Sequence, residues 1–180
     1  MQTKDLKIEL RIDGVAVKIG YELLESLSRN IPDIKENAKV FEKLALSHHY
    51  EVRENIAEKK IINKKTIKLL LKDKRHGLIT RLLRNTKVAS KFSFKTIKKI
   101  IALDNPIHSE TIAENLGDFI KCDSCKLAKI LLKHKDPAVR GALCRRWHNT
   151  TPKSIIKKLT FDKDVNVAND AKEYLELGQK

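Results

Sequence analysis

From residue 37 onward, apolar positions recur at helical spacing, and the pattern itself repeats. The first helix of each of five pairs carries apolar residues at i, i+3 and i+4. These are Phe41/Leu44/Ala45, Ile67/Leu70/Leu71, Ile97/Ile100/Ile101, Leu127/Ile130/Leu131 and Ile155/Leu159, where Lys158 replaces the middle anchor. Steps of 26, 30, 30 and 28 residues separate the first anchors. Four places before each anchor stand Asn37, Asn63, Ser93, Asp123 and Thr151, side chains able to accept a hydrogen bond from the free N–H groups of a helix start. Pro152 is then predicted at a first helical position, where its missing N–H costs nothing.

A second helix follows 11 or 12 residues after each first anchor, with apolar residues at i, i+4 and i+5: Val52/Ile56/Ala57, Leu78/Leu82/Leu83, His108/Ile112/Ala113, Val139/Leu143/Cys144 and Val167/Ala171. Asn105, Asp136 and Asp164 precede three of these runs as caps, two of them followed by proline. One pair cannot bury its own apolar stripe, so neighbouring pairs must stack.

Residues 6–19 behave differently. LKIELRIDGVAVKI alternates strictly around Asp13-Gly14, the signature of a two-residue β-hairpin. That turn places Ile12 opposite Val15, Leu10 opposite Val17 and Ile8 opposite Ile19, with Glu9 and Lys18 paired on the other face. A lone hairpin is marginal, so its apolar face is expected to pack on a helix over residues 21–29. A helix over residues 15–27 is the competing reading, and a further possibility is that the hairpin edge recruits another chain.

YEVRENIAEKK, DPAVRGALCRRW and the LxxL-type helices before them resemble HEAT-like repeats. They are most similar to the bacterial leucine-rich-repeat-variant class, in which a D-P-x-V-R-x-A-L-A phrase opens the second helix. Repeats two and three depart from it, with Leu78-Ile79 and His108-Ser109 in place of Val-Arg. The resemblance implies a mainly α fold, a right-handed α-α superhelix of about five helix pairs. The resemblance covers roughly residues 37–176, and with the hairpin it divides the chain into an N-terminal cap over residues 1–36 and a repeat array over 37–180, with repeats near 37–62, 63–92, 93–122, 123–150 and 151–180. It implies a binding surface rather than a chemistry. It also implies that Arg53 and Arg140, each one residue after the valine anchor, brace a neighbouring turn.

Composition narrows the function classes. Apolar residues make up 41% and aromatics only 5% of 180 residues. No apolar run approaches the ~20 residues of a membrane span, and the N-terminus lacks a signal-peptide stretch. Three cysteines, an odd number, argue against a disulfide framework. A cytoplasmic protein without cofactor is expected, with a monomer the simpler oligomeric state.

The net charge is +15, unevenly spread. Residues 1–60 are neutral, 61–100 carry +12, 101–120 carry −4, 121–160 carry +9 and 161–180 carry −2. A proteome that simply favours lysine would raise the charge everywhere, whereas here the first third is left neutral. Nucleic-acid binding through Arg75, Arg81, Arg84, Lys87, Lys98, Lys99, Arg145, Arg146 and Lys153 follows as the expected function. A scaffold for an acidic protein partner is the alternative. A lesser one is a DNA glycosylase for alkylated purines, a class that shares the repeat type and charge, although no acidic and aromatic pocket can be placed on this sequence.

Other candidates yield to plainer readings. Cys122, Cys125, Cys144 and His148 have ligand types that suit zinc, but Cys144 occupies the slot of Ala57 and Ala113 and reads as buried packing. Cys125, in a first helical turn, is a candidate reactive thiol. Trp147 reads as core. His48, His49, His76 and His134 read as residues of solvated inter-helix loops. The sequence holds no nucleophile–base pairing and no glycine-rich phosphate loop.

Overall fold

The computed structural model describes residues 9–145 and 151–177. It is mainly helical, with one small antiparallel sheet, and divides into two compact units, Met1–Val88 and Ala89–Lys180.

The first unit opens with β1 (Glu9–Ile12) and β2 (Val15–Lys18), paired Glu9↔Lys18, Leu10↔Val17, Arg11↔Ala16 and Ile12↔Val15. This is the register predicted from the alternation. Asp13 and Gly14 adopt φ of 49° and 82°, the left-handed pair that a two-residue turn between twisted strands requires. The helical alternative over residues 15–27 is thereby excluded, and Ile8 lies outside the described residues.

The predicted packing of the hairpin is not observed. Ile12, Val15 and Val17 are exposed. The helix meant to cover them, α1 (Tyr21–Asn30), buries Leu24 and Ser28 and packs against α3 instead.

The helix pairs of this unit are α2 (Ala38–Leu44) with α3 (Tyr50–Glu58), and α4 (Lys64–Leu70) with α5 (His76–Arg84). A short turn, α6 (Thr86–Ala89), follows. α1, α3 and α5 pack in succession, and α2 packs on α4. Polar side chains tie one layer to the next: Asn55 Nδ2 donates to Ser28 Oγ at 2.9 Å, and Asn85 Nδ2 donates to the carbonyls of Ala57, Glu58 and Lys59 that end α3.

The second unit holds α7 (Phe94–Ile101) with α8 (Pro106–Glu114), α9 (Ser124–Leu131) with α10 (Pro137–Gly141), and α11 (Lys153–Leu159) with α12 (Val165–Leu177). Here α8, α10 and α12 pack in succession, α7 and α9 both lean on α8, and α11 leans on α12.

Every predicted second-helix anchor is buried, including His108 and Cys144. Among the first-helix anchors, Leu71, Ile101 and Ile130 are only half-buried. The caps divide. Asn63, Ser93 and Asp123 accept from the N–H three residues on, and Asn105, Asp136 and Asp164 cap α8, α10 and α12. Asn37 does not cap, because its amide donates to Pro32 O. Thr151 does not cap either: Pro152 takes the N-cap position, so the helix starts one residue later than predicted. His76 is the first residue of α5 rather than a loop residue.

Candidate functional site

Two buried arginines repeat one geometry. Arg53 Nε donates to Asp73 at 2.6 Å, and its Nη1 donates to the carbonyls of Ser47 and His48 at 2.8 and 3.0 Å. Arg140 Nε and Nη2 donate to the two oxygens of Asp162 at 2.7 and 2.8 Å, and its Nη1 donates to the carbonyls of His134 and Lys135 at 2.8 and 3.1 Å. Each guanidinium thus clasps the loop of its own pair to an aspartate in the loop of the next. The hydrogen bond from Arg140 holds the Asp162 carboxyl below the usual carboxylate range, and Asp162 raises Arg140 in turn. Both arginines brace turns as expected, so neither charge faces a ligand.

The second-helix arginines singled out from sequence are also engaged. Arg81, on α5, is held by Glu54 at 2.6 Å and by Glu58. Part-burial opposes its charge, yet the bond to Glu54 and the charges of both acids outweigh that and raise its pKa. Arg75 lies over the Tyr50 ring, 4.4 Å from its centroid. Gly77 permits the close approach of this ring, since a Cβ there would lie 2.7 Å from Tyr50 Oη. Arg145 donates to Glu110 at 2.7 Å. Arg84 is exposed and forms no ion pair among the described residues, Lys87 is exposed, and Arg146 lies outside the described residues.

The unpaired positive charge sits elsewhere. The five first helices α2, α4, α7, α9 and α11 carry thirteen lysines against a single acid, Glu42. The five second helices carry five basic and eight acidic residues. The first helices are therefore +12 and the second helices −3, and the remaining +6 of the net charge of +15 lies outside these ten helices.

All thirteen lysines are exposed. Among the described residues only Lys65, on Glu42, and Lys126, on Asp123, form ion pairs. Each first helix places a lysine five or six residues after its cap: Lys43, Lys68, Lys98 with Lys99, Lys129, and Lys157 with Lys158. Lys98, Lys99 and Lys153 from the sequence-predicted set belong to this array. The block charges did not single out the other ten, Lys39, Lys43, Lys64, Lys65, Lys68, Lys95, Lys126, Lys129, Lys157 and Lys158. Their signal was the helix register rather than the charge of a sequence block.

Unit by unit, α2 and α4 of the first carry five lysines and one glutamate, and α7, α9 and α11 of the second carry eight lysines and no acid. An array of this kind attracts polyanions at long range and holds phosphates as point charges, without the fork geometry that arginine would add.

Among the described residues the cysteines do not converge with other ligands. Cys122 donates its thiol to Phe92 O at 3.6 Å, and burial raises its pKa. Cys144 is buried and pushed up to about 12, by burial first and the charge of Asp170 second. Cys125 is half-buried in the first turn of α9. His148 and Trp147 lie outside the described residues. Among the described residues no three His, Cys, Asp or Glu side chains gather to hold a metal ion. His49 stacks on Tyr21 with ring centroids 4.3 Å apart, and His134 Nδ1 accepts from Asp136 N. Among the described residues no helix is long and apolar enough to cross a membrane.

No family model, curated protein or solved structure matches the chain.

Proposed function

We propose that this chain is a non-catalytic nucleic-acid-binding protein that grips the phosphate backbone with the lysines of its first helices. The observation that carries this reading is the segregation of charge between the two helices of each pair, +12 against −3. Lysine bias alone would load both helices, because both have exposed positions. Here Arg53, Arg81 and Arg140 of the second helices are held by acids and loop carbonyls and Arg84 is exposed, while among the described residues eleven of the thirteen first-helix lysines form no ion pair. Keeping so many like charges unpaired is unfavourable for folding, and a polyanionic partner offsets that cost when it binds. We infer also that the helix pairs of each unit are HEAT-like repeats, a reading supported by the buried second-helix anchors of every pair and the repeated arginine clasp.

Lysine contacts to phosphate carry little base information, so binding should be largely independent of sequence. The test is fluorescence anisotropy of the full chain with a labelled duplex or RNA. Lys68→Glu, Lys98→Glu, Lys129→Glu and Lys157→Glu combined should abolish binding near physiological salt. Arg81→Gln with Arg145→Gln should leave it nearly intact. A stoichiometric acidic protein that is captured after nuclease treatment, with no nucleic acid bound at low salt, would favour the scaffold reading instead.

A further inference from the structure

We propose that Phe161 is a stacking platform for an unpaired nucleobase, so that the strand engaged at the turn between α11 and α12 is single-stranded. The proposal rests on the basic-face reading above and adds a base contact to it. Phe161 is 90% exposed, more than any other large apolar residue among the described residues.

The turn that displays it is firmly built. Phe161 N donates to Lys158 O at 3.2 Å, Asp162 N to Leu159 O at 2.9 Å, and Thr160 Oγ1 to Lys157 O at 2.8 Å. The next residue, Asp162, is fixed through both carboxylate oxygens by Arg140, and it also accepts from Asp164 N. The ring therefore projects from an ordered backbone and loses little freedom when it is covered.

Its neighbours say what covers it. Lys157 and Lys158 lie one turn before it and Lys163 two residues after; all three are exposed and none is in an ion pair among the described residues. The only acids nearby in the turn are Asp162, neutralised by Arg140, and Asp164, which caps α12. An apolar protein partner would need several anchors in a desolvated patch. A single ring among unpaired lysines matches one base flanked by phosphates, the arrangement that proteins use to hold single strands. In the other pairs the same position after the cap holds Leu46, Lys72, Ala102 and Leu132, so the aromatic is particular to the last pair.

The test uses the full chain, wild type and Phe161→Ala, with three labelled probes: an oligothymidylate, an abasic strand of equal length and a blunt duplex. Wild type should bind the oligothymidylate roughly tenfold more tightly than the abasic strand, the usual scale for one stacked base. Phe161→Ala should erase that preference and leave the abasic strand and duplex within about twofold. Phe161→Trp should restore it, with tryptophan fluorescence quenched on binding. Unchanged far-ultraviolet circular dichroism would show that the variants fold. An unaltered preference in Phe161→Ala, or an equal loss on all three probes, overturns the proposal. So does loss of capture by anionic lipid vesicles with strand binding unaffected, which would assign the ring to a membrane. Failure of every strand to bind wild type would overturn the basic-face reading itself.

Discussion

Asp162→Asn keeps the shape of the side chain and removes the charge that Arg140 faces. Both partners are almost sealed from water, with side-chain exposures of 5% and 8%. Two of the four hydrogen bonds made by Arg140 end on this carboxylate, at 2.7 and 2.8 Å, and the other two end on carbonyls of its own loop. The variant leaves a buried guanidinium without its counter-charge. Breaking a buried pair from one side typically costs about 3–5 kcal/mol.

The same change at Asp104, whose partner Lys135 is solvent-exposed, should be nearly silent, because water already screens that pair. Replacing both clasp partners by apolar residues should recover most of the loss, since the unpaired charge causes it. Urea denaturation followed by circular dichroism reads all three variants.

The pH dependence has a definite sign. The Asp162 carboxyl is held below its ordinary value by the hydrogen bond from Arg140. Its stabilisation is therefore complete above the unfolded value of about 4 and is lost as pH falls through the lower folded value. The gap between wild type and Asp162→Asn should close in acid. An Asp162→Asn protein that unfolds within about 1 kcal/mol of wild type at neutral pH, or a gap that widens in acid, would refute the clasp.

Three further outcomes test the packing. Asn63→Ala removes the acceptor of Thr66 N and should cost about 1 kcal/mol in urea denaturation. Ser109→Ala removes a buried hydroxyl without a hydrogen-bond partner among the described residues, so it should be neutral or stabilising by up to about 1 kcal/mol. Cys144, with a thiol pushed up to about 12, should resist alkylation at pH 8 until the chain is denatured, as peptide mapping would show. Cys144→Ala should be tolerated, because Ala57 and Ala113 fill the same slot.

The elements were legible where the signals are local. Period and caps located α4, α7, α8 and α9, and Asp13-Gly14 fixed the hairpin register. Capping failed at Asn37 and Thr151 for reasons outside the helix start: Pro32 O captured one side chain, and Pro152 took the position of the other. Alternation identified the apolar face of the hairpin but not its cover, since α1 spends its buried side on α3. The arginine clasps followed from the repeat phrase, whereas Asp73 and Asp162 lie in the following loop and emerge only in register. Equivalent positions are Leu103 and Lys133, in the pairs that follow Ile79 and Ser109 rather than an arginine. The charge of a sequence block does not separate the two helices of a pair: the +12 block over residues 61–100 mixes α4 lysines with α5 arginines, of which Arg81 is held by two glutamates of α3.

The salt dependence of binding tests the central claim most directly. If the first-helix lysines hold phosphates, log K falls linearly with log salt, and six engaged lysines cost roughly a thousandfold in affinity between about 50 and 200 mM. Each Lys→Ala on α4, α7, α9 or α11 should lower the slope by about one, whatever the base sequence. Arg81→Gln and Arg145→Gln should leave the slope unchanged. A slope that is flat, or one that responds to the second-helix arginines and ignores the first-helix lysines, would contradict the account.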